Sequence, residues 1–262
     1  MEQRLLGQTG IAIGRVGISS SYGADCAVFE AAMERGCNYF NWGTFIRGRS
    51  GEFRKFMRVL AENGRRDKVV LGLICYSHSV FFGNRAIGSA LRQLHTDYID
   101  ALILGYFSKR PPQRLIDWAQ ELKCKGVVRA IGMTTHNRKV VVPLAEEGII
   151  DYFHIRYNAV HRGAEQDIFA HLSTEKRPGL VSFTATCWGK LLKEKTLPAG
   201  ERLPTAGDCY RFVLANSMLD ACMMGVKNMT MLEENLREIE EGPLDAEQVD
   251  AMRRIGDHLY GV

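Results

Sequence analysis

Short runs rich in β-branched residues recur along this chain, each followed by a longer stretch whose apolar residues repeat with helical spacing. The alternation predicts strand–helix units around a parallel sheet, because parallel neighbours must be joined by a crossover and a helix is the usual one. Candidate strands are Val16–Ser19, Tyr39–Asn41, Val69–Ile74, Ile99–Leu104, Ala130–Met133, Tyr152–Ile155, Leu180–Phe183 and Ala221–Met224. Candidate helices are Ala24–Arg35, Glu52–Asn63, Arg85–Leu94, Gln113–Lys125, Arg138–Glu147, Ala164–Leu172, Tyr210–Asn216 and Met231–Glu240. Eight of each is the complement of a (β/α)8 TIM barrel. The runs 69–74 and 99–104 are apolar on both faces, as strands are when helices cover one side and a packed barrel interior the other. An open doubly wound sheet is the competing topology.

Two further elements lie outside the repeat. Arg4-Leu5-Leu6 and Ile11-Ala12-Ile13 flank Gly7-Gln8-Thr9-Gly10, which predicts a β-hairpin plugging one barrel end. Near the other terminus, Asp245 is a plausible N-cap for a C-terminal helix running to about Leu259, with Val249, Met252 and Ile255 on one face. At 262 residues the chain has the size of one barrel, read as a single domain over 1–262.

Apolar residues make up 46% and charged residues 24%, which excludes intrinsic disorder. The net charge of +4 is spread without a Lys/Arg block, so a nucleic-acid partner is not expected, although a local anion site remains open. Seven cysteines are scattered and never form a C-x-x-C pair, which argues against a metal and for free thiols in a reducing cytoplasm. No signal-like segment and no bilayer-length apolar run are present, so no membrane partner is expected; the oligomeric state is left open.

Several phrases are similar to those of the aldo/keto reductase family across nearly the whole chain. They are Arg15-Val16-Gly17-Ile18-Ser19-Ser20, Gly36-Cys37-Asn38-Tyr39-Phe40-Asn41, Asp97-Tyr98-Ile99-Asp100-Ala101-Leu102-Ile103-Leu104 and Ala130-Ile131-Gly132-Met133-Thr134-Thr135. They continue with His154-Ile155-Arg156-Tyr157-Asn158, Phe183-Thr184-Ala185, and Gly225-Val226-Lys227-Asn228 followed by Leu232-Glu233-Glu234-Asn235-Leu236. The last is the most specific and resembles the family's NADP-binding segment. The resemblance implies a barrel that binds NADP(H), with Lys227 and Asn228 at the phosphate and Glu234 and Asn235 near adenine. Phe183 and Thr184 would lie at the nicotinamide, His154 at its carboxamide, and Ser20 and Thr134 elsewhere along the cofactor. Independently of the name, a loop after a barrel strand offers backbone amides and a helix N-terminus to phosphate, and a lysine adds a point charge.

The resemblance also implies where reduction chemistry should lie. In the family a tyrosine protonates the carbonyl oxygen, a lysine–aspartate pair tunes it and a histidine orients the carbonyl. Those positions align with Ile46, Ile74, Asn41 and Gly105 respectively. None carries a titratable proton, and the changes are mutually consistent, since a buried lysine without its partners would be costly. Substitute groups are expected at the same rim: Tyr76 or Tyr106 as an acid, His78 as base or orienter, and more weakly Cys75 as a nucleophile. Arg47, Arg49 and Arg54 suggest recognition of an anionic ligand at the mouth. Three functions follow: an NADP-dependent oxidoreductase acting on a small carbonyl or anionic compound, a catalytically inactive nucleotide-binding or regulatory barrel, and a cofactor-independent lyase or isomerase using His78 and Arg47.

Overall fold

The computed structural model describes residues 1–45, 50–173 and 176–261. The expected positions Ile46, Arg47 and Arg49 lie outside the described residues. A hairpin of β1 (Gln3–Leu5) and β2 (Ala12–Gly14) precedes eight parallel strands: β3 (Val16–Ser19), β4 (Tyr39–Gly43), β5 (Val70–Cys75), β6 (Ile99–Leu104), β7 (Val128–Thr135), β8 (Tyr152–Arg156), β9 (Gly179–Phe183) and β10 (Ala221–Met224). Each pairs with the next, and β10 pairs back with β3, closing the barrel. The open-sheet alternative is thereby excluded.

The strand period of two sorts the core into two compartments. Alternate residues such as Tyr39, Val70, Ile103, Tyr152 and Val181 fill the interior, together with Leu6, Ile11 and Ile13 from the hairpin. Their neighbours, among them Phe40, Leu71, Leu102 and Phe153, pack outward against the helices. The hairpin therefore does plug one end. Room for the two interior tyrosines comes from missing side chains: a Cβ at Gly132 would stand 2.3 Å from the Tyr152 ring, and one at Gly72 would stand 2.9 Å from the Tyr39 oxygen.

Three aspartates at the hairpin end join strands pairwise. Asp100, Asp151 and Asp220 accept the backbone N–H groups of Leu71, Ile131 and Leu180 at 2.9, 2.7 and 2.9 Å. Each carboxylate is also held by cations: Asp100 by Arg66 and Arg129, Asp151 by Lys123, and Asp220 by Arg177. Asp220 in addition takes the Gly7 N–H at 3.2 Å, tying the plug to the barrel.

Among the described residues, eight α-helices surround the barrel: α1 (Cys26–Glu34), α2 (Gly51–Glu62), α3 (Val80–Gln93), α4 (Gln113–Cys124), α5 (Val141–Glu146), α6 (Ala206–Leu214), α7 (Met229–Glu240) and the C-terminal α8 (Ala246–Tyr260). Four expectations need correction. The helix expected from Arg85 starts five residues earlier, at Val80, with the Gly83 N–H bonding the Ser79 carbonyl at 2.8 Å. The helix expected over Ala164–Leu172 is one wide turn, Glu165–Phe169, held by tertiary bonds of Glu165 to Tyr157 and Arg253 and of Asp167 to Arg138. The one expected over Arg138–Glu147 splits into a tight turn (Arg138–Val140) and the short α5. The one expected from Tyr210 starts at Ala206, because Thr205 and Asp208 bond reciprocally to each other's backbone N–H.

Replacing Asp220 by alanine should remove about 3–5 kcal/mol of stability, since Arg177 would be left buried without its counter-charge. Urea unfolding should show this, with Asp220→Asn losing less because it keeps an acceptor oxygen for Leu180 and Gly7.

Candidate active site

All eight barrel strands run in one direction, so their C-terminal ends converge on one mouth, where (β/α)8 proteins place their chemistry. A cavity of about 270 Å³ opens there. Its walls come from the ends of β3 (Ser19–Tyr22), β4 (Asn41, Gly43, Phe45), β5 (Ile74, Tyr76), β6 (Tyr106), β7 (Thr134, His136), β8 (His154), β9 (Phe183, Thr184, Trp188) and β10 (Met223–Gly225).

The floor is a buried polar chain. His154 Nε2 lies 2.7 Å from the Tyr39 hydroxyl, which lies 3.3 Å from that of Tyr152. All three side chains are inside the barrel, and burial pushes both phenols up and the imidazole down to about 3. His154 is therefore neutral near pH 7, and with Nε2 taken by Tyr39 it has one ring nitrogen, Nδ1, left for a ligand.

One wall is aromatic. The Tyr106 ring stacks on His136 (centroids 5.4 Å apart, planes 8° apart), His136 meets Phe183 edge-on, and Tyr76 lies 5.4 Å from Tyr106 and edge-on to Phe45. Gly105 has no side chain because Tyr76 fills that space: a Cβ there would stand 2.9 Å from the Tyr76 ring and 2.8 Å from the Cys75 carbonyl. Burial, and then the Tyr106 hydroxyl, push the Tyr76 phenol well up. Burial and Arg156 lower the His136 pKa, which favours the neutral ring.

Polar groups line the same cavity. Ser20 Oγ is buried and has no hydrogen-bond partner among the described residues, although Ser20 lines the cavity. Such an atom normally has a partner, so its position points to a ligand or water there. Asn41 and Thr134 line the same space. The Thr184 hydroxyl donates to the Phe183 carbonyl at 2.6 Å.

The expected cofactor residues are thus divided between two zones. Ser20, Thr134, His154, Phe183 and Thr184 meet at the cavity. Lys227, Asn228 and Glu234 are exposed just beyond it, following Gly225, against which the Tyr22 ring packs. Asn228 caps α7 by accepting from Met231 N–H at 2.9 Å. Asn235 is turned inward instead, its amide donating to the Met224 sulfur at 3.3 Å, so it serves packing between α7 and β10.

Of the expected substitutes, Tyr76 and Tyr106 reach the cavity and His78 does not: its ring stacks on Phe107 at 4.4 Å and its Nε2 lies 3.2 Å from the Gly105 carbonyl. Cys75 is buried in the helix-facing core, which raises its thiol pKa. Arg54 lies on α2 and bonds Gln93 of α3. Asn41, Ile74 and Gly105 sit around the mouth, the first two as lining. Sequence reasoning missed His136, Trp188, Phe45 and the interior pairing of Tyr39 with His154. His136 carried a usable signal, since it directly follows the end of β7.

A family model described as the aldo/keto reductase family matches residues 10–205, well over half of the chain, and the chain belongs to that family. No curated protein matches. Among solved structures it is similar to the holo form of aldo-keto reductase AKR11C1 from Bacillus halodurans, at 21% identity and TM-score 0.81, covering 97% of this chain and 96% of that one. It is also similar to the thermostable aldo-keto reductase Tm1743 in complex with the inhibitor epalrestat (19%, TM-score 0.78, 97% and 100% covered). A further likeness is to the putative aldo-keto reductase PA4992 from Pseudomonas aeruginosa (17%, TM-score 0.71, 91% and 94% covered). At these identities the likeness establishes the fold.

The buried imidazole makes a pH prediction. The unfolded chain protonates His154 near pH 6.5, whereas the folded protein does so only near 3. Below pH 6.5 this residue therefore favours unfolding, by about 1.4 kcal/mol for each pH unit. His154→Gln should remove that contribution, so that in urea unfolding between roughly pH 6 and pH 4 the variant loses less stability than the wild type.

Proposed function

We propose that this chain is an NADP(H)-binding oxidoreductase of the aldo/keto reductase type in which the usual Asp/Tyr/Lys/His set is replaced by Asn41, Ile46, Ile74 and Gly105. The observation that carries the reading is the cavity in which Phe183, Thr134, Thr184 and the unpartnered Ser20 hydroxyl meet at the barrel mouth. These groups fit a nicotinamide: an aromatic face for the ring and hydroxyls for its amide or ribose. Lys227 and Asn228, exposed at the α7 N-terminus, fit the phosphates. When bound, NADPH supplies a hydride.

What the chain's own residues supply differs from ordinary carbonyl reduction. Tyr76 faces the cavity from between Phe45 and Tyr106, and its raised pKa keeps its proton in place. It can donate a hydrogen bond to a carbonyl oxygen, but it is a poor acid without a neighbouring cation to favour its anion. Neither Asn41 nor Ile74 provides one. Reduction of a simple aldehyde should therefore be slow, while a quinone, which accepts electrons readily, demands less of an acid.

A second reading is a catalytically inactive nucleotide-binding or regulatory barrel, favoured by the Tyr76 ring standing where a side chain at Gly105 would be. The lyase or isomerase reading loses one of its two groups, because His78 stacks on Phe107 and does not line the cavity, while Arg47 lies outside the described residues.

Titration calorimetry should show NADPH binding, weakened roughly tenfold or more by Lys227→Ala through loss of a charge-assisted contact. Absence of NADPH binding by the wild type overturns both readings. NADPH consumption above background with aldehydes, quinones or keto acids assigns the oxidoreductase, and binding without consumption assigns the regulatory barrel.

A further inference from the structure

Arg156 ends β8 two residues after His154, on the same face of the strand, and so stands at the mouth above the polar floor. It pairs in register with Phe183, and its guanidinium carbon lies 6.0 Å from the centre of the Trp188 ring; both partners line the cavity, and Arg156 stands at its edge, outside the lining itself. It is half-buried, yet among the described residues it enters no ion pair and no hydrogen bond. Other arginines nearby are engaged, Arg138 by Asp167 and Arg162 by Asp257. Among the described residues no acidic side chain lines the cavity.

A partly desolvated guanidinium without a counter-ion is unfavourable unless an anion completes it, and its fork matches a carboxylate in two parallel hydrogen bonds. The surroundings suit a flat molecule. Trp188, Phe183 and the stacked Tyr106–His136 pair present ring surfaces on the same side of the mouth. Trp188 is carried by a segment in which Thr184, Cys187 and Trp188 all adopt left-handed backbone, with φ of 62°, 49° and 55°. Such conformations are costly for residues with a Cβ, a β-branched threonine above all, and are concentrated where a side chain must be held in place.

We propose that Arg156 anchors the carboxylate of a small planar acid whose ring lies against Trp188 and Phe183, making the cavity selective for aromatic carbonyl compounds that carry an acid group. Binding of the acid stands on the cavity alone; its reduction rests on the function proposed above.

The test uses benzoate and its uncharged analogue benzamide, titrated against the cofactor-free protein by calorimetry or by tryptophan fluorescence. Benzoate should bind roughly tenfold or more tightly than benzamide, Arg156→Gln should abolish that preference, and Arg156→Lys should keep part of it, retaining charge but not the fork. Equal binding of the two by the wild type, or a preference that survives in Arg156→Gln, overturns the proposal. Should Arg156→Gln fail to fold, wild-type salt dependence decides. Benzoate affinity falling several-fold between about 0.05 and about 0.5 M salt, with benzamide unaffected, supports the anchor, and parallel behaviour overturns it. NADPH titration separates the other source of an oxyanion: if Arg156→Gln weakens NADPH binding about tenfold while the benzoate preference persists, Arg156 belongs to the dinucleotide phosphates and the proposal falls. A wild type that ignores NADPH yet prefers benzoate would refute the cofactor reading and leave this one standing.

Discussion

Two tyrosines and a histidine meet inside the barrel, and the depth of the site follows from how they are accommodated. A closed eight-stranded barrel has an interior only wide enough for side chains, so a phenol pointing inward requires an opposing position to be empty. Gly72 and Gly132 provide that space for Tyr39 and Tyr152. The hydroxyls then need partners, and they find each other and His154. This chain forms the bottom of the cavity, and everything that reaches the mouth is built on top of it.

The two ends of the barrel use charge in opposite ways. At the hairpin end, Asp100, Asp151 and Asp220 each combine a backbone N–H from the preceding strand with a cation, so that strand register and ion pairing support one another. At the mouth, among the described residues, the cavity lining holds no acid, Ser20 lacks a partner and Arg156 lacks a counter-ion. Satisfied charge at one end secures the closed sheet. Unsatisfied polarity at the other is the usual physical mark of a surface meant for a ligand.

The neutral character of the site is internally consistent. Burial keeps His154 uncharged and lowers His136, while Tyr76 retains its proton. Adding an anion to such a site meets little competition, since the described lining holds no acid and Arg156 stands beside its Trp188 wall. Adding a hydride meets a different limit, because Asn41 and Ile74 carry no titratable proton and burial holds the Tyr76 proton in place. The geometry thus favours recognition over proton transfer.

Alternation of short β-branched runs with helical periods was enough to place all eight barrel strands to within about two residues, because a buried parallel strand must be apolar over its whole length. The hairpin plug and the capped C-terminal helix were legible for similarly local reasons, turn glycines and an aspartate N-cap. What no periodicity encodes is the direction of side chains in the loops after the strands: His78 stacks on Phe107 instead of entering the cavity, Asn235 turns to a methionine sulfur, and His136 and Trp188 arrive unannounced. The wide turn at Glu165–Phe169 is of the same kind, held by Arg253 and Arg138 from distant segments. Sequence alone determined the barrel, since burial acts on each residue's own chemistry; closure of the sheet decided the site, since it brings residues more than a hundred positions apart, such as Tyr39 and His154, within one hydrogen bond of each other.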